Sequence, residues 1–433
     1  MNCIYPVAMK IIKRYFKFFL VGIALSLMHP VVRADAADEV VIGVATSLTT
    51  IEGAESNRAA ALAVEEINRK GGIRLKHRRI ALRLASIDLQ DADDNNSKSD
   101  SLHNLEQFIQ VEKLHAIVVG PFRSEVLLPA MDIIARHRVP LLETIAMTPA
   151  IESMILRDPR YRYVFRTGLN TKYLADALIH IMKYLNTRFG FTRVYILTQD
   201  IAWARSTVAI MIKLFFDRMG WQVLGADHFA YGATDFSSSL EKARAKGAQV
   251  ILPIFDMPQS GKLAQQWKEM EIPALLCGFI SPMIGPGAWK AFNGQISGTL
   301  NVVFELGNIP SDRYPPASAF YRAYSDRYGT DIEAGHGPAP SYEAVYLLKD
   351  AIESASSLDP EQLVAALEAS ERMGCMGLLR FHKGHQVIFG TDPETEAVVC
   401  LMQWTRDGKR RIVYPPSIAD GEIESSFVTL PPR

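Results

Sequence analysis

The chain has 433 residues, 47 Lys+Arg against 47 Asp+Glu, and 48% hydrophobic content. That length accommodates two domains or more, and zero formal net charge gives no reason to invoke nucleic acid as a partner. Four cysteines without a CxxC spacing suggest neither a zinc ribbon nor a thioredoxin-like centre.

The first 36 residues read as a cleaved secretory signal. Lys10, Lys13, Arg14 and Lys17 are basic, Phe18 to Met28 is apolar but short for a membrane span, and Ala34-Asp35-Ala36 offers small residues for cleavage. An uncleaved anchor is the alternative. No later stretch is apolar enough to span a membrane, so the expected location is the periplasm. Export permits a disulfide. Cys375 and Cys400 flank strand-like runs and are candidates to pair, whereas Cys277 reads as a buried thiol.

Val40 to Val44 is a buried-strand run, Thr46 to Ser56 a polar loop, and Asn57 to Asn68 an amphipathic helix stopped by Gly71-Gly72. Strand Ile80 to Ile87, helix Ser101 to Glu112, strand Ala116 to Val119, helix Glu125 to His137 and strand Val139 to Leu142 follow. After Tyr163 to Thr167 the alternation restarts. Helices at 172–186, 204–219, 236–246 and 261–270 alternate with strands at 193–198, 222–229, 250–255 and 274–278. Two such runs mean two doubly wound α/β lobes with parallel sheets. A strand at 298–304 and helices at 317–328, 341–356 and 360–370 precede antiparallel strands at 378–381, 398–404 and 409–414, with a turn at Asp407-Gly408. Ligands of open α/β sheets gather beyond the strands' carboxyl ends.

The segment Ala63 to Ile73, AVEEINRKGGI, resembles a signature of the type I periplasmic solute-binding proteins of ABC transporters, in the leucine/isoleucine/valine-binding branch. Val118 to Pro121, Val139 to Leu142, Tyr163 to Thr167, Thr234 to Ser237, Phe320 to Gly329 and Ser341 to Ala344 extend the resemblance over nearly the whole mature chain. It implies two lobes joined by three crossovers, residues 37–164 plus 293–372 in one and 165–292 plus 373–433 in the other. A small-molecule ligand would bind in the cleft between them, and a membrane permease with its ATPase would receive it on hinge closure. It implies a monomer and no cofactor, metal or catalysis.

Carried over residue by residue, the resemblance places Ser124 where the family holds a ligand carboxylate; its other reading is a helix cap. Ala146 keeps a backbone amide useful to a carboxylate, but Ile145 and Met147 flank it where the family has hydroxyls. Glu52 stands at a family tyrosine, and either binds a polar group or faces solvent. Trp203 offers an aromatic wall or packs beneath its own helix. Ile280 stands near the acidic residue that receives an amino group, leaving Glu52 or Asp256 to replace it. With Phe279, these residues predict a cleft more apolar than that of amino-acid binders, holding a small, partly apolar ligand.

An enzyme is the first rival, but the chain has no HExxH, GxSxG or Walker loop, and no GxGxxG after a strand. His382 and His385 are read as a solvated turn. The second rival is a soluble sensor that presents its ligand to a membrane signalling partner.

Overall fold

The computed structural model describes residues 39–93, 95–424 and 427. The expected signal segment lies outside them. Among the described residues, no helix is long and apolar enough to cross a membrane.

Two sheets organise the chain. The first has five parallel strands in the order Leu82–Asp88, Val40–Thr46, Ala116–Val119, Leu141–Glu143 and Val164–Arg166. Both faces of its central strands are covered, so all seven residues of Val40–Thr46 are buried and the strand reads as a continuous apolar run. The second sheet has seven strands in the order Arg410–Tyr414, Cys400–Trp404, Leu300–Val303, Leu275–Ile280, Val250–Phe255, Arg193–Gln199 and Gln222–Phe229. Its last five are parallel to one another, while the two C-terminal strands add antiparallel at the edge. This is the expected pair of α/β lobes.

Two strands fall across the expected lobe boundaries. Val164–Arg166 pairs with Leu141–Glu143 in the first sheet, which extends that lobe past residue 164. Leu300–Val303 pairs with the second sheet on both sides, so the return to the first lobe comes after residue 303 and not at 293. The expected strand 398–404 also divides. Ala397–Val398 joins a small separate sheet and Cys400–Trp404 joins the large one.

The helix of the opening βα unit begins earlier than its apolar periodicity suggests. It runs Ile51–Arg69, because the Thr50 side chain caps it by accepting from the Gly53 amide at 3.0 Å. Gly72 ends the turn after it with φ +80°, and its α-carbon packs so close to the Ile80 carbonyl that a β-carbon would lie 2.2 Å from that oxygen. Cys277, Cys375 and Cys400 are all free, buried thiols whose acidity is suppressed by burial, so the pairing of Cys375 with Cys400 does not occur. His385 is not solvated either. It is buried, stacks on Phe165 with ring centroids 4.1 Å apart, and lies 3.0 Å from Glu368.

Candidate functional site

The carboxyl ends of the parallel strands from both sheets meet at one cleft. Its walls are Glu52, Phe122, Arg123, Ser124, Glu125, Ile145, Met147, Ile201, Ala202, Trp203, Asp256, Phe279, Phe304 and His336. They surround about 570 Å³, open mouth included. Most of them arrive on the loop or helix start that follows a strand, while Phe279 lies within its strand and His336 precedes the helix Pro338–Ala355. Ser124 opens the helix Ser124–His137 after Ala116–Val119, Trp203 lies in the first turn of Ala202–Met211 after Arg193–Gln199, and Asp256 follows Val250–Phe255.

Five of the seven residues singled out from sequence line this cleft: Glu52, Ser124, Met147, Trp203 and Asp256. Ser124 is not the cap of its helix. Arg123 holds that position without a side-chain bond, which places Ser124 at the first helical residue, where amides point outward. The Trp203 indole N–H donates to Asp256 Oδ2 at 3.0 Å, and Arg123 approaches the same oxygen at 3.5 Å from the other sheet's side of the cleft. Trp203 therefore presents its face, its donor being used. Glu52 stands in the helix's first turn and not in a loop, and it accepts from the Ser281 hydroxyl across the cleft at 2.8 Å. Burial pushes its carboxyl above the ordinary range, opposed by its backbone and Ser281 hydrogen bonds.

Ala146 and Ile280 do not line the cleft. Glu143, fully buried, turns its Oε1 onto the amides of Thr144, Ile145 and Ala146 at 3.0, 2.8 and 2.9 Å, while the Ala146 carbonyl accepts from Arg166 at 3.0 Å. The protein's own carboxylate thus occupies the amide that was expected to serve a ligand. Ile280 is next to Phe279 in a strand, so the pleat turns it to the other face while Phe279 meets the cleft.

The aromatic wall is continuous. The Phe279 ring lies 4.2 Å from Phe304 and meets Trp203 edge-on at 6.1 Å, and Phe304 lies 5.1 Å from the His336 ring. Phe122, Glu125, Ile201, Phe304 and His336 escaped the sequence reading. Phe304 ends an expected strand, which was signal enough to find it. His336 lies in an irregular segment before the helix Pro338–Ala355, where no periodicity marks it. Among the described residues, no group of three His, Cys, Asp or Glu side chains is placed to hold a metal ion.

The periplasmic binding protein family model matches residues 39–409. The chain belongs to that family. Periplasmic binding proteins of this kind are the substrate-binding proteins of ABC transporters and are not enzymes. This one is 24% identical over 375 residues to Leu/Ile/Val-binding protein homolog 8 of Brucella melitensis, covering 85% of this chain and 87% of that protein. Its fold is shared with a branched-chain amino acid transporter substrate-binding protein of Streptococcus pneumoniae solved with isoleucine, at TM-score 0.68 and 18% identity over 87% of this chain and all of that one. An ABC transporter solute-binding protein of R. palustris solved with 4-hydroxybenzoate gives TM-score 0.70 at 16% identity, over 87% and 95% of the two chains.

Proposed function

We propose that this periplasmic binding protein captures a small acid with an apolar, aromatic or branched body in the cleft between its lobes, and delivers it in the periplasm to an ABC permease with its ATPase. The observation that carries this reading is the composition of the cleft wall. Ile145, Met147, Ile201, Trp203, Phe279 and Phe304 form a wide apolar surface. Flat aromatic walls in a concave site favour apolar, planar or branched bodies.

Ser124, at the amino end of its helix, is the station for a carboxylate, where outward amides and a hydroxyl converge. The Glu52–Ser281 pair is a second polar station, suited to a hydroxyl or amino group on the same ligand. Isoleucine and 4-hydroxybenzoate each combine a carboxylate, an apolar body and a second polar group. The free carboxylate that would receive an α-ammonium is compromised here: Asp256 is engaged by Trp203 and Arg123. That favours aromatic and short-chain acids over zwitterionic amino acids.

The test is thermal unfolding of the mature protein against amino acids, aromatic acids, short-chain acids, amides and polyols. A compound that binds only the folded state at a hundred times its Kd adds roughly 2.7 kcal/mol, a readily seen shift. Aromatic or branched acids without an α-amino group should raise the transition most. A shift confined to zwitterionic branched-chain amino acids would overturn the ligand class.

A further inference from the structure

His336 lies at the junction between the cleft and the hinge, and its surroundings fix its protonation. The ring is 6% exposed. Nδ1 is 2.7 Å from Glu305 Oε1 and Nε2 is 2.7 Å from the Ile145 carbonyl oxygen. A carbonyl oxygen only accepts, so Nε2 carries a proton. Glu305 accepts three further N–H groups: Leu169 at 3.0 Å, the Asn308 side chain at 3.0 Å and Gly337 at 3.3 Å. Both Glu305 oxygens already accept N–H groups, so at the Nδ1 contact the ring is the donor and Nδ1 carries a proton as well.

The partners of Glu305 come from separate crossings between the lobes. Leu169 lies between the strand Val164–Arg166 of the first sheet and the helix Thr171–Phe189, which leads to the second. Glu305 itself follows Leu300–Val303 of the second sheet on the way back. We infer that His336 is a positioning residue that donates from both ring nitrogens, tying the two crossovers at Glu305 to the cleft wall at Ile145 and so holding Ile145 and Met147 in their binding positions.

The groups facing the ring are few. Glu305 comes from the crossover and Glu52 from the helix Ile51–Arg69, both anionic when ionised; the Ile145 loop gives a carbonyl and Phe304 an aromatic ring. Arg123 shares the cleft but is paired with Asp256. Burial by itself pushes the imidazole down, but Glu305, the Ile145 carbonyl and Glu52 together carry it above its ordinary value of 6.5. The inference requires the cleft and not the identity of its ligand.

The experiment is NMR of the mature protein with 15N-labelled histidine and 13C-labelled Ile and Met methyls, titrated with pH. His336→Gln assigns the ring. At pH 6.5 His336 should show both nitrogens protonated, and the Ile145 and Met147 methyls should move with the same midpoint as the ring when the pH is raised. Glu305→Gln, which keeps the ring, should lower that midpoint by at least one pH unit. Glu52→Gln should keep the titration and lower it less. A neutral tautomer at pH 6.5, or Ile145 and Met147 methyls indifferent to the ring's titration, would overturn the inference.

Discussion

Buried ionisable residues around the cleft make the protein's stability depend on pH in opposite directions. Burial, against three amides and Arg166, raises the Glu143 carboxyl to about 7, and its Oε2 has no partner. A carboxyl raised on folding prefers its proton in the native state. The cost of ionising it therefore appears as pH climbs past the unfolded value of 4.5 and is complete above about 7. Glu143→Gln keeps an oxygen for the three amides and removes that cost. Relative to the parent, it should gain on the order of 3 kcal/mol at most between pH 5 and pH 8, as 1.36 kcal/mol per unit requires. Urea unfolding at the two pH values measures this, and an equal difference at both would contradict it. His336 works the other way. Its value is raised on folding, so its contribution is present in full below about 6.5 and is lost as pH rises through the folded-state value. The stability advantage of the parent over His336→Gln should accordingly shrink on the alkaline side. Arg166 is 1% exposed and bonds Glu152 at 2.8 Å, so Arg166→Met leaves a buried carboxylate uncompensated and should cost ~3–5 kcal/mol.

At the scale of elements, the helix Ile51–Arg69 shows what a sequence makes legible. Its apolar positions mark the middle and Gly71-Gly72 its end, but its first turn, Ile51-Glu52-Gly53-Ala54, lacks apolar periodicity and only Thr50 announces it. That is why the sequence reads Glu52 as a loop residue while still assigning it to the site. Thr50→Ala should cost about 1 kcal/mol by leaving the Gly53 amide unpaired. Gly72→Ala combines a φ of +80° with the collision at the Ile80 carbonyl and should cost more, upwards of ~2 kcal/mol, read from the same unfolding curves. The run from Val398 to Trp404 looks like one strand because all its residues are buried, and burial does not say by which sheet. Strand alternation was similarly available for Ile280, whose neighbour Phe279 takes the cleft-facing position. Glu143 and His336 were not legible at all. Glu143 turns back onto the amides of the next three residues, which no hydrophobic pattern marks, and His336 depends on Glu305 and Ile145 from distant segments.

For the whole molecule, the doubly wound lobes follow from the repeated strand–helix alternation, and the cleft follows from gathering the carboxyl ends of both sheets in one place. Polar contacts already bridge it: Glu52 with Ser281 and Arg123 with Asp256 join residues carried by opposite sheets. On the function proposed above, a ligand gripped from both sides would supply the differential affinity that favours a closed arrangement. Ser124 follows a strand of the first sheet and Trp203 a strand of the second, so each tests one half of the grip. The most direct measurement is calorimetric titration of the best compound from the unfolding screen into the parent, Ser124→Ala and Trp203→Ala, each first shown to be folded. Two-sided capture predicts that Ser124→Ala weakens binding about tenfold and that Trp203→Ala weakens it a hundredfold or more, in line with a lost hydrogen bond and a lost aromatic wall. Parental affinity in both variants would place the ligand outside this cleft and contradict the account.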